Sequence, residues 1–104
     1  MTEVAQGEIW LLEVPDQKAR PALVVTRDYA LGYLRGVTVA QVTGTFRSSP
    51  TQLPLGPDEG LDRDCVANFD DLLVVSPAYL TVRIGALGAR RYEMCEAINA
   101  MVDC

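Results

Sequence analysis

Two segments of this 104-residue chain carry side chains that suit chemistry on a phosphate. Arg20 stands directly before Pro21 and an apolar run, and residues 42–48 end a second apolar run with hydroxyl groups, an aromatic ring and Arg47. A guanidinium keeps its charge and offers paired donors to phosphate oxygens, and the hydroxyl of Thr43 can donate a further hydrogen bond. Each segment also has a plain structural interpretation, a solvated strand end for Arg20 and a turn for the Thr-Gly-Thr cluster, and spacing alone does not join the two.

The lack of histidine in the sequence excludes several other kinds of active site. It removes histidine-based acid–base catalysis, Ser–His and Cys–His nucleophiles and most zinc sites. The three cysteines, Cys65, Cys95 and Cys104, are odd in number and widely spaced, which indicates neither a disulfide framework nor a zinc motif. Acidic pairs lie in or beside predicted loops, where solvated carboxylates are normal, and predict no metal site: Asp58 and Glu59, Asp62 and Asp64, and Asp70 and Asp71.

The charge of the chain limits how it can bind a nucleic acid. A net charge of −5 gives no long-range attraction to a polyanion. Of the nine basic residues, all except Lys18 are arginines, which suit forked contacts with phosphate. If the chain binds RNA, we therefore expect a local groove with few phosphate contacts.

The composition also bears on where the protein works. The sequence has no charged segment followed by an apolar stretch of the kind that directs secretion, and its apolar runs are shorter than a membrane span. The cysteine pattern fits free thiols in a reducing compartment. We therefore expect a cytoplasmic protein.

The elements that must position the two segments follow from hydrophobic periodicity. Residues 37–43 alternate apolar and polar side chains, as in a half-buried strand, and further strands are predicted at 8–14, 21–26, 51–55, 65–67 and 72–75, with a turn or loop over 28–36. From about Ala89 the spacing changes to three and four residues, which predicts an amphipathic helix with Met94, Ile98 and Met101 in its buried stripe. We expect one mainly β domain over residues 1–104, a small barrel of five to seven strands with the helix packed across it.

The order of these segments resembles the MazF/PemK family. The matching segments are residues 7–10, 20–25, 42–45, 50–55, 64–68 and 83–85, together with the terminal helix, so that the resemblance runs from about Gly7 to the end of the chain. It implies an SH3-like barrel, usually a homodimer, that acts as a ribosome-independent endoribonuclease. It also implies a partner, an antitoxin protein whose disordered tail folds over the RNA groove and blocks it.

The same resemblance implies the site residues. Arg20 and Thr43 correspond to the catalytic pair of the family, and the residues expected to contact RNA are Gln17, Lys18, Thr45, Phe46, Arg47 and Ser48. The implied reaction needs neither metal nor cofactor: a ribose 2′-OH attacks the adjacent phosphorus and leaves a 2′,3′-cyclic phosphate and a 5′-OH. Arg20 suits the stabilisation of charge, but a guanidinium is a poor base, so water and a carboxylate such as Asp16 stay open for that role.

Two alternatives to an active endoribonuclease remain open. Related barrels of the CcdB family poison DNA gyrase by binding and cut nothing. Two features count against this interpretation: the chain has the Arg-Pro and Thr-Gly-Thr segments, and its last residues include no aromatic side chain. The other alternative is a family member that has lost activity and only binds its antitoxin.

Overall fold

The strands of this chain, in which apolar and polar side chains often alternate, form a single antiparallel sheet. The computed structural model describes residues 3–32 and 35–103, and across those ranges it contains six strands and two α-helices. The strands are β1 (Glu8–Leu12), β2 (Arg20–Val24), β3 (Val37–Thr43), β4 (Gln52–Leu55), β5 (Cys65–Val75) and β6 (Leu80–Ala86), and the helices are α1 (Asp28–Leu31) and α2 (Arg91–Met101). The strand order is β4-β5-β3-β2-β1-β6, so that β4 and β6 are the two edges of the sheet.

Two glycines allow the edges of this sheet to approach each other. The 3₁₀ turn Pro57–Glu59 follows the edge strand β4 and lies against β6. A Cβ at Gly85 would overlap the carbonyl oxygen of Glu59, and a Cβ at Gly60, whose φ is +94°, would overlap the carbonyl oxygen of Ile84. Only glycine fits such close backbone contact. The sheet therefore curls into the predicted barrel-like, mainly β fold, and its strand count falls within the predicted five to seven.

Alternate residues of each strand divide the apolar side chains between the two faces of the sheet. One face, which we call the helix face, carries Ile9, Leu23, Ala40 and Phe69, and it is covered by Met94 of α2 with Ile98 and Met101 packed against it. The opposite face carries a second core: Trp10, Leu12, Ala22, Val24, Val37, Val39 and Leu80. The predicted buried stripe of the C-terminal helix is confirmed.

The boundaries of several elements differ from the predictions. β1 ends at Leu12 and β2 begins at Arg20, while α2 begins at Arg91 after a 3₁₀ turn at Gly88–Arg90. One helical turn, α1, occupies part of the segment 28–36 that was predicted as turn or loop, of which residues 33 and 34 lie outside the described residues. Strand β6 was not predicted, although residues 80–84 alternate apolar and polar side chains.

The two predicted strands at 65–67 and 72–75 are parts of one long strand, β5. Its register against β3 shifts in the middle: Gln41 lies opposite Asn68, whereas Ala40 lies opposite Leu72. The intervening residues 69–71 form a β-bulge, which bends the strand and interrupts its alternation. This interruption hid the continuity of the strand in the sequence.

Arg90 joins the 3₁₀ turn, strand β4 and helix α2. Its guanidinium pairs with Oε2 of Glu59 at 3.0 Å and with Oε2 of Glu93 at 2.8 Å, and it donates to the carbonyl oxygen of Pro54 at 2.9 Å. The side chain of Glu59 is 7% exposed. The hydrogen bond from Arg90 also holds the pKa of Glu93 below its ordinary value. Arg90 is therefore the cation that neutralises a buried carboxylate.

We expect Arg90→Ala to lower the free energy of unfolding by about 2–4 kcal/mol, because Glu59 would stay buried without its cation. The matched control is Arg91→Ala. Arg91 pairs with Asp28 at 3.5 Å, with side-chain exposures of 52% and 56%, and such pairs contribute less than about 1 kcal/mol. Urea unfolding followed by tryptophan fluorescence measures both. Equal losses for the two variants would contradict this role of Arg90.

Candidate active site

Antiparallel pairing brings Arg20 and Thr43 together. Strands β2 and β3 pair with Ala22 opposite Gln41 and Leu23 opposite Ala40. Continued by two residues, the same register sets Arg20 opposite Thr43. Side chains two residues apart on a strand share a face, so both project from the face opposite the helix, as Ala22 does. The fold thus joins two segments that their spacing in the sequence could not join.

A small pocket of about 140 Å³ lies between these two strand ends, and we call it the active pocket. Its lining includes four residues that were predicted from the sequence: Arg20, Thr43, Thr45 and Arg47. The remaining lining residues were not predicted: Gln41, Val42, Asn68 and Asp71. The pocket therefore combines two guanidinium groups, two hydroxyl groups and one carboxylate.

The loop after β3 is held in place by Gln52. The side chain of Gln52 accepts a hydrogen bond from the backbone N–H of Arg47 at 2.7 Å and donates to the carbonyl oxygen of Thr45 at 3.1 Å. The backbone N–H of Thr45 in turn donates to Oγ1 of Thr43 at 3.2 Å. Because this bond uses a lone pair of the Thr43 oxygen, the Thr43 hydroxyl proton is still available to donate to a ligand. Nothing in the sequence pattern signalled the role of Gln52.

The β-bulge in β5 separates two neighbouring carboxylates. Asp70 turns towards β4, where its Oδ2 accepts a hydrogen bond from Oγ1 of Thr51 at 2.6 Å. The carbonyl oxygen of Thr51 in turn accepts a hydrogen bond from the backbone N–H of Phe69 at 2.9 Å. Asp71 instead lines the active pocket. β-Bulges commonly re-aim a side chain next to an active site. The sequence had no signal that distinguished Asp71 from Asp70.

A second cavity of about 370 Å³ adjoins the active pocket, with which it shares Arg20 and Gln41, and we call it the side groove. Its lining brings in two further predicted residues, Gln17 and Lys18, together with Leu12, Val14, Pro21 and Leu73. Asp16, the carboxylate considered as a base, has a φ of 64° in the preceding turn and belongs to the lining of neither cavity. The side groove thus carries two positively charged side chains, Arg20 and Lys18.

Two of the predicted RNA-contacting residues lie apart from the active pocket. Phe46, 55% exposed, lines a different cavity with Pro54, Glu59 and Arg90. Ser48 is exposed in the left-handed region, with a φ of 51°, and lines neither the active pocket nor the side groove. The structure therefore groups Thr45 and Arg47 with Arg20, but it does not group Phe46 or Ser48 with them.

Within residues 3–32 and 35–103, no group of three or more cysteine, aspartate and glutamate side chains is arranged to hold a metal ion. Neither described helix is long and apolar enough to cross a membrane. The positive charge lining the active pocket is that of Arg20 and Arg47.

Comparison with known protein families identifies relatives over nearly the whole chain. The family profile described as "PemK-like, MazF-like toxin of type II toxin-antitoxin system" matches residues 5–101. "Probable endoribonuclease MazF5" from Mycobacterium tuberculosis (strain ATCC 25618 / H37Rv) is 35% identical over 102 residues, which is 96% of this chain and 94% of the relative. "Probable endoribonuclease MazF2" from the same strain is 34% identical over 95% of this chain and 98% of the relative.

Solved structures share the fold. The structure of "Mycobacterium tuberculosis toxin MazF-mt6" superposes with a TM-score of 0.82 at 31% identity, over 92% of this chain and 96% of that one. A structure described as "Endoribonuclease in complex with its cognate antitoxin from Mycobacterial species" has the same TM-score of 0.82 at 20% identity, over 96% of this chain and 95% of that one. The second likeness concerns the fold alone.

Proposed function

This chain belongs to the family of PemK-like, MazF-like toxins of type II toxin–antitoxin systems, and we propose that it is an endoribonuclease that cuts single-stranded RNA at the active pocket. The observation that supports the proposal is that Arg20, at the start of β2, and Thr43, at the end of the neighbouring β3, line the same pocket. Several relatives of the chain are named endoribonucleases.

In the proposed reaction, the 2′-OH of a ribose attacks the neighbouring phosphorus, and the bond from phosphorus to the 5′-oxygen breaks. The products are a 2′,3′-cyclic phosphate and a 5′-OH. Negative charge grows on the non-bridging oxygens in the transition state, where charged donors that are already in place have the largest effect. Arg20 and Arg47 supply such donors, and the hydroxyl of Thr43 adds a neutral one.

Asp71 is the proposed general base. The attacking 2′-OH must lose its proton, and a positioned carboxylate can accept it, whereas a guanidinium cannot. Asp71 is the carboxylate among the lining residues of the active pocket. This assignment replaces the choice between water and Asp16 that the sequence left open.

We further propose that the protein acts in the cytoplasm as a homodimer and that a cognate antitoxin silences it. The groove around Arg20, Arg47 and Lys18 is locally basic on a chain whose net charge is −5. An acidic antitoxin segment would pair with these three side chains and cover the groove, folding as it binds.

The direct test of the proposed function is incubation of the purified protein with a long, weakly structured RNA in EDTA. We expect discrete fragments with 5′-OH ends, because the nucleophile is the 2′-OH of the substrate itself and the charged donors are arginines. The control is a double variant, Arg20→Ala with Thr43→Ala, purified in the same way, which should leave the RNA intact and so exclude a contaminating nuclease. Intact RNA with the wild-type protein would instead favour a member that only binds its partner, or a toxin that acts on gyrase.

A further inference from the structure

The loop between β3 and β4 supplies Thr45 and Arg47 to the active pocket, yet it has few contacts of its own. Residues 45–48 are exposed and belong to no strand or helix. Among residues 3–32 and 35–103, no backbone–backbone hydrogen bond reaches these four residues. A segment with so few contacts opens easily, so the loop needs another support if Arg47 is to stay in the pocket.

Gln52 provides that support from the neighbouring strand. Its side-chain amide donates to the carbonyl oxygen of Thr45 at 3.1 Å and accepts a hydrogen bond from the backbone N–H of Arg47 at 2.7 Å. Only this orientation of the amide satisfies both groups, because the carbonyl oxygen needs a donor and the N–H needs an acceptor. The two backbone groups flank Phe46, so the amide fixes the loop on both sides of that residue.

Gln52 is itself anchored to the sheet. It begins β4, where it lies opposite Asn68 of β5, and its backbone N–H donates to the carbonyl oxygen of Ser49 at 3.0 Å. The preceding residue, Thr51, is buried, and its Oγ1 donates to Oδ2 of Asp70 at 2.6 Å. The amide of Gln52 is therefore attached to the sheet and does not move with the loop that it holds.

Fixing the backbone beside Phe46 determines where the side chains of the loop point. Thr45 and Arg47 line the active pocket, whereas Phe46 lines the cavity that contains Pro54 and Arg90. Successive side chains of an extended segment point to opposite sides, so a shift of the loop by one residue would turn Phe46 into the pocket and Arg47 out of it. The two hydrogen bonds from Gln52 oppose that shift.

We propose that Gln52 is a positioning residue, which holds the guanidinium of Arg47 where negative charge grows in the transition state. Gln52 does not belong to the lining of the active pocket, so it acts through Arg47. This inference rests on the proposed endoribonuclease function. Misplacement of a reacting group by about 1 Å can lower a rate by about a hundredfold, so the hydrogen bonds that fix Arg47 contribute to the rate.

The experiment is a double-mutant cycle of Gln52→Met and Arg47→Ala in single-turnover RNA cleavage. Methionine keeps the length of the side chain but cannot donate a hydrogen bond. We expect Gln52→Met to lower the rate by about ten- to a hundred-fold, and Arg47→Ala to lower it by about a hundred- to a thousand-fold. The double variant should match Arg47→Ala within about twofold, because Gln52 then has no guanidinium to position.

Amide hydrogen exchange followed by NMR gives a second readout, which the loss of side-chain packing alone would not change. The backbone N–H of Arg47 should exchange about tenfold faster in Gln52→Met, whereas the N–H groups of β3 should keep their wild-type rates. The matched control is Gln6→Met. It removes a comparable hydrogen bond, from Nε2 of Gln6 to the carbonyl oxygen of Val25 at 3.0 Å, and should leave the cleavage rate unchanged.

The outcomes separate this inference from the proposed function. If the folded wild-type protein cuts nothing, both fail. If the wild type cuts RNA but the losses of the two single variants multiply in the double variant, Gln52 acts independently of Arg47, and the positioning role alone is wrong. Cleavage at the wild-type rate by either single variant, or unchanged exchange of the Arg47 N–H in Gln52→Met, would also overturn the positioning role and leave the endoribonuclease function standing.

Discussion

Replacing Arg20 by alanine should lower the single-turnover rate of RNA cleavage by about a hundred- to a thousand-fold, the usual loss for one donor that stabilises transition-state charge. The guanidinium lies at the wall of the active pocket, opposite Thr43 in the extended register of β2 and β3. Its side chain is exposed at a strand end, so the substitution should not change the free energy of unfolding by more than about 0.5 kcal/mol.

The companion variants show which property of Arg20 is used. Arg20→Lys keeps the charge but loses the forked pair of donors, so its rate should stay well below that of the wild type. Thr43→Ala should lose less than Arg20→Ala, because a neutral hydroxyl is a weaker donor than a guanidinium. Arg91→Ala removes an arginine on helix α2 and should cut RNA at the wild-type rate. An Arg20→Ala protein as fast as the wild type would show that the charge stabilisation comes from elsewhere.

Replacing Asp71 by asparagine should lower the cleavage rate by about a hundred- to ten-thousand-fold, the range observed for general acid–base groups. Asparagine keeps the shape of the side chain but cannot accept the proton of the 2′-OH. Single-turnover rates of the wild type and the variant measure this loss.

The neighbouring carboxylate provides the matched control. Asp70 accepts a hydrogen bond from Thr51 and does not belong to the lining of the active pocket. An asparagine oxygen can still accept that bond, so Asp70→Asn should keep the wild-type rate within about threefold. If Asp70→Asn were the slower of the two variants, the assignment of the base to Asp71 would be wrong.

Local patterns predicted the regular parts of the fold. The alternation in residues 37–43 predicted β3 with its correct bounds. The three- and four-residue spacings of apolar residues near the end of the chain predicted the buried stripe of α2. The patterns failed where tertiary contacts decide the structure. Residues 69–71 form a bulge where the register of β3 against β5 shifts, just beyond the part of β5 that pairs with β4, and the curling of the sheet depends on close backbone contact at Gly85. Neither feature has a periodic signature.

The candidate site was predictable only in part for a similar reason. Arg20 and Thr43 are 23 residues apart, and only the register of the strand pair, or resemblance to a known family, brings them together. Asp71 and Gln52 carried no signal, because their roles arise from a bulge and from loop hydrogen bonds. Phe46 shows the opposite case, since it is adjacent in sequence to two pocket residues but lines another cavity.

The most direct measurement compares two synthetic RNA oligonucleotides that differ by one oxygen atom. Both contain one site that the protein cuts in a long RNA, and one of them carries 2′-deoxyribose on the 5′ side of the scissile phosphate. The all-ribose oligonucleotide should be cut in EDTA to a 2′,3′-cyclic phosphate and a 5′-OH, and the deoxy-substituted one should remain intact because its nucleophile is missing. Cleavage of both oligonucleotides at the same rate would contradict attack by the 2′-OH at the pocket formed by Arg20, Thr43 and Asp71.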